Sequence, residues 1–242
     1  MKATREVQER LLALQQIDSD LIQIAHKVAN LPVIKQLEEA SKSLSAKRDL
    51  LTAAQTEHDD IKHELNRSEV DVEQVTSRIE RDEKRLASGQ GTPKELEQLQ
   101  HELGTLGKRR AELEEVELEI MMRLDGAASR INELSDECEN LEKEISSLTQ
   151  ERDQELAELE SAKAKSETDR TSLSSELAGE LLSLYEKIRA TADGVGAARL
   201  AGNQCMGCHL TLNAAEVGRI RALADDEVVR CEECRRILVR VG

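Results

Sequence analysis

The sequence has 242 residues and a formal charge of −15, from 49 acidic and 34 basic side chains. It contains no Phe or Trp and a single tyrosine, Tyr185. One large core built on aromatic rings is therefore not expected, since each buried ring normally supplies roughly 150–250 Å² of contact. The composition, 34% charged and 38% hydrophobic with two prolines, is typical of long helices or coiled coil.

No stretch of the sequence approaches the roughly 18 apolar residues that a membrane span requires, and residues 1–6 lack the pattern of a secretory signal. We therefore expect a cytoplasmic protein with no membrane partner. Thiols stay reduced in the cytosol, so the five cysteines favour metal binding or redox chemistry over disulfides. The acidic balance argues against attraction of the whole surface to nucleic acid.

Apolar residues recur at heptad spacing along the first part of the chain. They run from Val7 to Val28, change phase at Pro32, and then return almost every seventh position from Leu37 to Leu86. A proline inside a helix removes a hydrogen bond and clashes with the preceding turn, which predicts a kink near residue 32. His58 is the polar member of the second row, and we interpret it as a register break.

A second heptad row runs from Leu99 to Leu148, with Cys138 in the row beside it as a small apolar residue. Between the two rows, residues 88–93 contain two glycines, and then Thr92 and Pro93, which suit a helix start that Glu95 completes as a capping box. The chain is predicted to reverse here and form an antiparallel coiled-coil hairpin over residues 1–190. We expect the returning helix to reach about residue 165, and Tyr185 to be half-buried near the junction with the next domain.

The strongest chemical signal is a pair of Cys-x-x-Cys motifs separated by 22 residues. This spacing is typical of tetrahedral zinc, because each short loop presents two thiolates to one side of the ion. Flanking apolar runs predict short strands, and Asn213 followed by Glu216 predicts a capped helix through about Ala222. Residues 191–242 are thus predicted to form a zinc ribbon, a small α+β domain with one structural Zn²⁺. The predicted metal ligands are Cys205, Cys208, Cys231 and Cys234.

Three other interpretations of the cysteines are weaker. Cys205 to His209 matches the pattern of c-type haem attachment, but haem leaves the second pair without a role and no export signal is present. A dithiol oxidoreductase needs a βαβ context that the sequence lacks. A catalytic zinc keeps an open coordination position, whereas four thiolates close it, although His209 could replace one cysteine. We expect no enzyme activity and no small-molecule substrate.

Arginine is concentrated in the C-terminal region: residues 195–242 contain seven Arg and no Lys against six acids. Two interpretations stand. In one, the guanidinium groups recognise phosphate in RNA or DNA; in the other, they balance the acids and the negative zinc centre. Without aromatic residues to stack on bases, any nucleic-acid contact would be electrostatic and directed to the backbone. The candidate contacts are Arg199, Arg219, Arg221, Arg230, Arg235, Arg236 and Arg240.

Four segments together resemble a bacterial family of C4-type zinc-ribbon proteins in which a long coiled-coil hairpin precedes the ribbon. They are Leu11 to Asp18, the turn from Gly91 to Leu96, the knuckle from Cys205 to His209, and the ending from Cys231 to Leu238. Arg235 departs from the glycine that often follows the second pair. The family includes a flagellar regulator linked to sigma factor 54 and to flagellin messenger RNA, so the resemblance implies adaptor or nucleic-acid-binding roles.

The sequence thus predicts a non-enzymatic adaptor that binds nucleic acid, a transcription-related protein, or both. A protein partner would bind the coiled coil, and RNA or DNA the ribbon. The alternative is a purely structural protein-protein interaction scaffold that contains a structural zinc and binds no nucleic acid.

Overall fold

The computed structural model describes residues 1–177 and 179–240. The chain packs as two compact units: one joins Met1–Lys35 to Thr149–Gly242, and the other is Gln36–Leu148. The predicted fold class, a long antiparallel helical hairpin followed by a small α+β ribbon, is confirmed. The helices are α1 (Arg5–Ala29), α2 (Pro32–Ala87), α3 (Pro93–Ser175), α4 (Gly179–Thr191) and α5 (Ala214–Ala222). Among the described residues, none of these helices is long and apolar enough to span a membrane.

The unit of residues 36–148 is held by an aliphatic seam and by ion pairs across it. Seam residues of α2 and α3 are buried, Cys138 among them as a packing residue. Leucine and isoleucine need no polar partner in such a seam, which is how the hairpin forms without aromatic rings. Ion pairs that join α2 to α3 in antiparallel order are Lys47–Glu137, Arg48–Glu142, Glu64–Arg123 and Arg78–Glu102. His58 lies half-buried on α2, with Nδ1 3.2 Å from the carboxylate of Asp59.

Residues 88–92 separate α2 from α3, and the second helix starts with a reciprocal cap. The backbone N–H of Thr92 donates to the Glu95 carboxylate at 2.7 Å, and the N–H of Glu95 lies 3.4 Å from Thr92 Oγ1. Gly89 and Gly91 both have positive φ, at 59° and 146°. A residue with a side chain adopts such values at a cost, so the two glycines permit the reversal.

Helix α3 runs ten residues further than the sequence suggested. The prediction that it would weaken near residue 165 is wrong, because α3 continues to Ser175. Serine and threonine in this stretch bond back to carbonyls of the preceding turn, as Thr168 does to Ala164. Tertiary contacts compensate for the low intrinsic propensity, since Arg170 in the last turns bonds to Asp18 of α1.

The ribbon contains one sheet of four short strands in the order β2-β1-β4-β3. The strands are β1 (Ala197–Ala201), β2 (Gln204–Cys205), β3 (Val229–Arg230) and β4 (Ile237–Arg240). Strand β1 is antiparallel to β2 and parallel to β4, and β3 is antiparallel to β4. The apolar run from Ile237 to Val241 predicts a closing strand; β4 forms as far as Arg240, and residue 241 lies outside the described residues.

The β1–β4 pair is covered on both faces, so the sheet separates two small cores. Ala197 and Ile237 face a core made with α1 and α4, which includes Leu11, Leu14 and Leu181. The neighbouring positions on the strands face the zinc-ribbon core. That second core contains Ala198, Leu200, Cys205, Leu212, Val217, Ile220, Val229, Cys231 and Leu238. Successive side chains of each strand point to opposite faces of the sheet. Because one face packs on α1 and α4 and the other on the zinc-ribbon core, α1 and the ribbon form one unit.

Tyr185 is fully buried, so the prediction of a half-buried ring is wrong. Its hydroxyl donates to Asp18 at 2.6 Å and lies 3.2 Å from Gln15 Oε1. Burial, together with the hydrogen bond to the Asp18 carboxylate, raises the pKa of Tyr185 well above its usual range. The buried ring therefore occupies the core of α1 and α4, while its hydroxyl ties α4 to α1.

Asp18 is fully buried and is the centre of a charge cluster. Its carboxylate accepts from Arg170 Nε at 2.6 Å and from Arg189 Nη1 at 3.1 Å. Glu186 bonds to both arginines, so the cluster alternates in sign. Asp18 lies on α1, Arg170 on α3 and Arg189 on α4; one buried carboxylate thus joins three helices.

Gln15, one turn before Asp18, holds the start of the ribbon. Its Oε1 accepts from the backbone N–H groups of Gly196 at 2.7 Å and Ala197 at 3.2 Å, and its Nε2 donates to the Gly194 carbonyl at 3.1 Å. Strand β1 therefore begins at a position that α1 fixes. The N-terminal backbone adds a second attachment, because Ala3 N donates to Asp226 O at 2.7 Å.

Candidate metal centre and arginine surface

Each Cys-x-x-Cys segment forms a tight turn of the same kind. In the first, the N–H of His209 donates to the carbonyl of Cys205 at 2.7 Å; in the second, the N–H of Arg235 donates to that of Cys231 at 3.0 Å. His209 and Arg235 both have positive φ, at 59° and 63°. The chain thus curls back after the second cysteine of each pair, so both sulfur atoms of a pair point to the same side.

The two turns bring the four predicted ligands together. The Sγ atoms of Cys205, Cys208, Cys231 and Cys234 all lie within 4.8 Å of one another, and those of Cys205 and Cys234 are 3.9 Å apart. Zn–S bonds of about 2.3 Å in a tetrahedron give sulfur separations of about 3.8 Å. The donor set and its spacing therefore fit one structural zinc ion. His209 is not in the cluster; its side chain is exposed.

The buried sulfurs differ in acidity as free thiols. Burial raises the pKa of the Cys205 thiol to about 12 and also raises the pKa of Cys231. Burial acts on Cys234 too, but hydrogen bonds from the Arg236 backbone N–H and the neighbouring thiols outweigh it and lower the pKa of Cys234. A bound dication reverses the cost of ionising the buried thiols, because zinc takes thiolates as ligands.

Arg236 holds the first knuckle, residues Cys205 to His209, in place. Its guanidinium donates to the carbonyls of Val195 at 3.0 Å, Gly207 at 2.9 Å and Ala192 at 2.9 Å. A Cβ at Gly207 would lie 2.8 Å from the Arg236 side chain, so only glycine fits this contact. Arg236 therefore positions the knuckle, and three of its five N–H donors are taken by backbone carbonyls.

Two further arginines of the predicted nucleic-acid set have structural partners. Arg240 donates to four backbone carbonyls at 2.6–3.1 Å, which belong to Ile220, Leu223, Ala224 and Glu227. It thereby fixes the end of α5 and the loop after it. Arg219 bonds to the buried carboxylate of Glu216, at 2.7 Å, and faces Glu232; its guanidinium lowers the pKa of Glu216.

The remaining four arginines are exposed. Arg199, Arg221, Arg230 and Arg235 form no ion pair within the described part of the chain, and Arg230 donates only to the Arg235 carbonyl, at 3.0 Å. Arg221 also lines a groove of about 390 Å³ with Arg5 of α1, Arg240 and the acidic Asp225. Arg5, which pairs with Glu9 at 3.1 Å, was not among the predicted residues, because no local pattern shows that α1 contacts the ribbon.

These observations define a class: a helical hairpin whose chain continues into a four-cysteine zinc ribbon. Comparison with known proteins gives the same division. A family model described as CT398-like coiled coil hairpin domain matches residues 14–193, and one described as C4-type zinc ribbon domain matches residues 204–238. The chain belongs to the CT398-like family of coiled-coil hairpin proteins with a C-terminal C4 zinc ribbon.

Relatives span essentially the whole chain. An uncharacterized protein of Mycobacterium tuberculosis is 34% identical over 100% of this chain and 98% of its own length. A solved structure from Mycobacterium smegmatis is 35% identical, covers 99% of this chain and 100% of its own, and superposes with a TM-score of 0.81. CT398 from Chlamydia trachomatis is 20% identical, with 98% of each chain covered and a TM-score of 0.63; at that identity the likeness shows the fold.

Proposed function

We propose that this protein is a non-enzymatic adaptor of the cytoplasm. Its ribbon contacts the phosphate backbone of RNA or DNA, and its helical hairpin contacts a protein. The observation that carries the nucleic-acid half is the set of four exposed ribbon arginines without a carboxylate partner among the described residues. Arginine forms bidentate bonds to phosphate, so an unpaired set on a rigid domain suits backbone contact.

The metal centre supports a binding role over catalysis. Four thiolates fill a tetrahedral zinc sphere, so no position is left for a substrate or an activated water. Cys205 and Cys231 are fully buried, which keeps their sulfur atoms from external disulfide exchange. The family resemblance suggests transcription-related proteins as the partner class.

One observation favours the alternative, a protein-only scaffold. Beside the first knuckle, Met206 and Leu210 are exposed, at 43% and 51%. Apolar side chains at a zinc knuckle suit a protein partner better than a phosphate backbone. In this alternative the unpaired arginines would face carboxylates of the partner.

Salt-dependent binding separates the two functions. We expect the zinc-loaded protein to bind a short single-stranded RNA or a DNA duplex at low salt. The variant with Arg199→Ala, Arg221→Ala and Arg235→Ala should bind more weakly, with the slope of log K against log salt reduced by about 2–3. Arg236 and Arg240 are left unchanged because their loss would disturb the ribbon.

The matched control removes the same charge from the hairpin, with Lys62→Ala, Arg67→Ala and Lys94→Ala. These three side chains are exposed on α2 and α3. We expect the control to bind like the wild type. If both variants bind more weakly to the same extent, net charge alone explains the binding and the ribbon arginines form no specific surface. If the wild type does not bind at low salt, the nucleic-acid half of the proposal is wrong and the protein-only scaffold is favoured.

A further inference from the structure

Three large apolar side chains lie on the outside of the hairpin, in the first half of α3. Leu118 is 60% exposed, Met121 45% and Met122 75%. They are spaced three and four residues apart, so they form one patch on the helix surface. Its apolar area is on the order of a few hundred Å², the size at which patches on monomers are often functional.

The patch does not belong to the hairpin seam. The seam residues of α3 here are Leu113 and Ile120, both buried. At 100° per residue, Leu118 and Met122 each point about 160° away from Ile120 on the helix, and Met121 points about 100° away. The patch therefore faces away from α2, and packing of the hairpin does not require these side chains to be apolar.

Acidic side chains border the patch along the helix. Glu114 and Glu115 lie one turn before Leu118, and Asp125 lies one turn after Met121. Glu114 pairs with Arg110 at 3.4 Å, whereas Glu115 and Asp125 form no ion pair in the described part of the chain. The result is an apolar centre with negative charge at both ends.

We propose that this patch binds an amphipathic helix of a partner protein that has an apolar stripe and basic flanks. When an amphipathic helix binds a protein surface, its apolar anchors are spaced three and four residues apart. The patch presents apolar side chains at the same spacing. From Glu114 to Asp125 it extends about 17 Å along the axis, or three turns of a partner helix. Methionine adapts its shape to different apolar partners, which is why it is frequent on such surfaces.

Charge decides between this partner and a second copy of the chain. Two patches that packed against each other, in either direction, would bring Glu115 and Asp125 of one copy beside acids of the other. Like charges in contact oppose association, and the chain already carries −15. A partner with basic side chains would instead be attracted by the same acidic side chains. This inference names the partner class of the protein-binding half of the proposed adaptor and rests on that half.

The methionines allow a direct test, because the sequence has only four of them. The probe is a synthetic amphipathic peptide of leucine and lysine in helical order, with a second peptide in which glutamate replaces lysine. With methyl-labelled methionine, the NMR signals of Met121 and Met122 should shift on addition of the basic peptide, while Met206 of the ribbon should not. The acidic peptide should shift none of them.

Affinity measurements then test the patch itself. The variant Leu118→Ala with Met122→Ala should bind the basic peptide roughly tenfold more weakly or worse, since apolar anchors dominate such interfaces. The matched control is Leu50→Ala with Val70→Ala, which truncates exposed apolar side chains of α2, at 49% and 48%. It should bind like the wild type, and helical circular dichroism should be unchanged in all proteins.

Three outcomes would overturn the proposal: equal affinity of the patch variant and the wild type, shifts spread over all methionines, or concentration-dependent broadening of Met121 and Met122 without peptide. The last would assign the patch to a second copy. The ribbon variant with three arginines replaced should bind the peptide normally. Failure of the peptide test and failure of the nucleic-acid test are thus read separately.

Discussion

Replacing Asp18 by asparagine should destabilise the unit that contains the ribbon by about 3 kcal/mol. Asparagine keeps the shape of the side chain but leaves Arg170 and Arg189 facing a neutral group in a buried place. Breaking a buried ion pair by removing one partner typically costs about 3–5 kcal/mol. Arg170 and Arg189 are 23% and 32% exposed, so water can solvate them in part, and the lower end of that range applies.

Tyr185 reports this loss directly, because it is the only aromatic residue of the sequence and its hydroxyl bonds to Asp18. Near-ultraviolet circular dichroism or tyrosine fluorescence during urea unfolding therefore follows this unit alone. Far-ultraviolet signals combine the helices of both units. With an m value of about 1–3 kcal/mol per M, the midpoint of the Tyr185 transition should fall by about 1–3 M.

The control is Asp20→Asn, two residues away; within the described part of the chain its carboxylate accepts only from Gln16, at 2.8 Å, on the surface of α1. Its effect should stay within about 0.5 kcal/mol. If Asp18→Asn also shifts the Tyr185 transition by less than 1 kcal/mol, the carboxylate does not hold the three helices together, and the reasoning is refuted.

Four other predictions concern the ribbon and its support. Zinc analysis should find one ion per chain, and a chelator or acid, which protonates the thiolates, should unfold the ribbon until zinc is restored; a fold unchanged by complete zinc removal would contradict this. Because the pKa of Tyr185 is raised in the folded state, its contribution to stability should be fully present below about pH 10 and be lost as pH rises above it, with tyrosinate absorbance appearing only on unfolding; a tyrosinate signal near pH 10 from intact protein would count against the buried hydroxyl. Arg235→Gly should stabilise the zinc-bound ribbon by up to about 1 kcal/mol in chelator competition, because glycine removes the cost of a positive φ; equal or easier zinc loss would show that no strain is present. Gly196→Ala should destabilise the same unit, since a Cβ would lie 2.6 Å from the Tyr185 ring, and calorimetry that finds an unchanged Tm would be inconsistent with that contact.

The sequence predicted the features that local patterns encode. Heptad spacing identified the hairpin, and the spacing of the cysteines identified the group that the fold assembles. The Asn213 cap is present, with its side chain accepting from Glu216 N at 2.8 Å. Each of these features depends on residues whose spacing along the chain reflects the geometry they adopt.

Long-range polar contacts gave no such signal. Gln15 bonds to Gly196, 181 residues away, and in the heptad pattern of α1 it is simply a polar residue. The arginines show the same limit: composition grouped seven of them, but only the structure separates Arg236 and Arg240, which bond to carbonyls, from the exposed Arg199 and Arg221. The role of each arginine depends on whether its N–H donors are already bonded to backbone carbonyls, which only the folded structure shows.

The division of the chain into units has a consequence for the order of folding. The unit of residues 36–148 is continuous, whereas the other unit joins residues 1–35 to residues that follow 148. On a ribosome, α1 would emerge long before β1 and β4, against which it packs. Until those later residues are made, Gln15 and Asp18 of α1 would lack the hydrogen-bond partners that they have in the folded unit. The continuous hairpin can form in the meantime and closes most of the intervening loop. Zinc capture would then be a late event, coupled to the return of the chain to its own first helix.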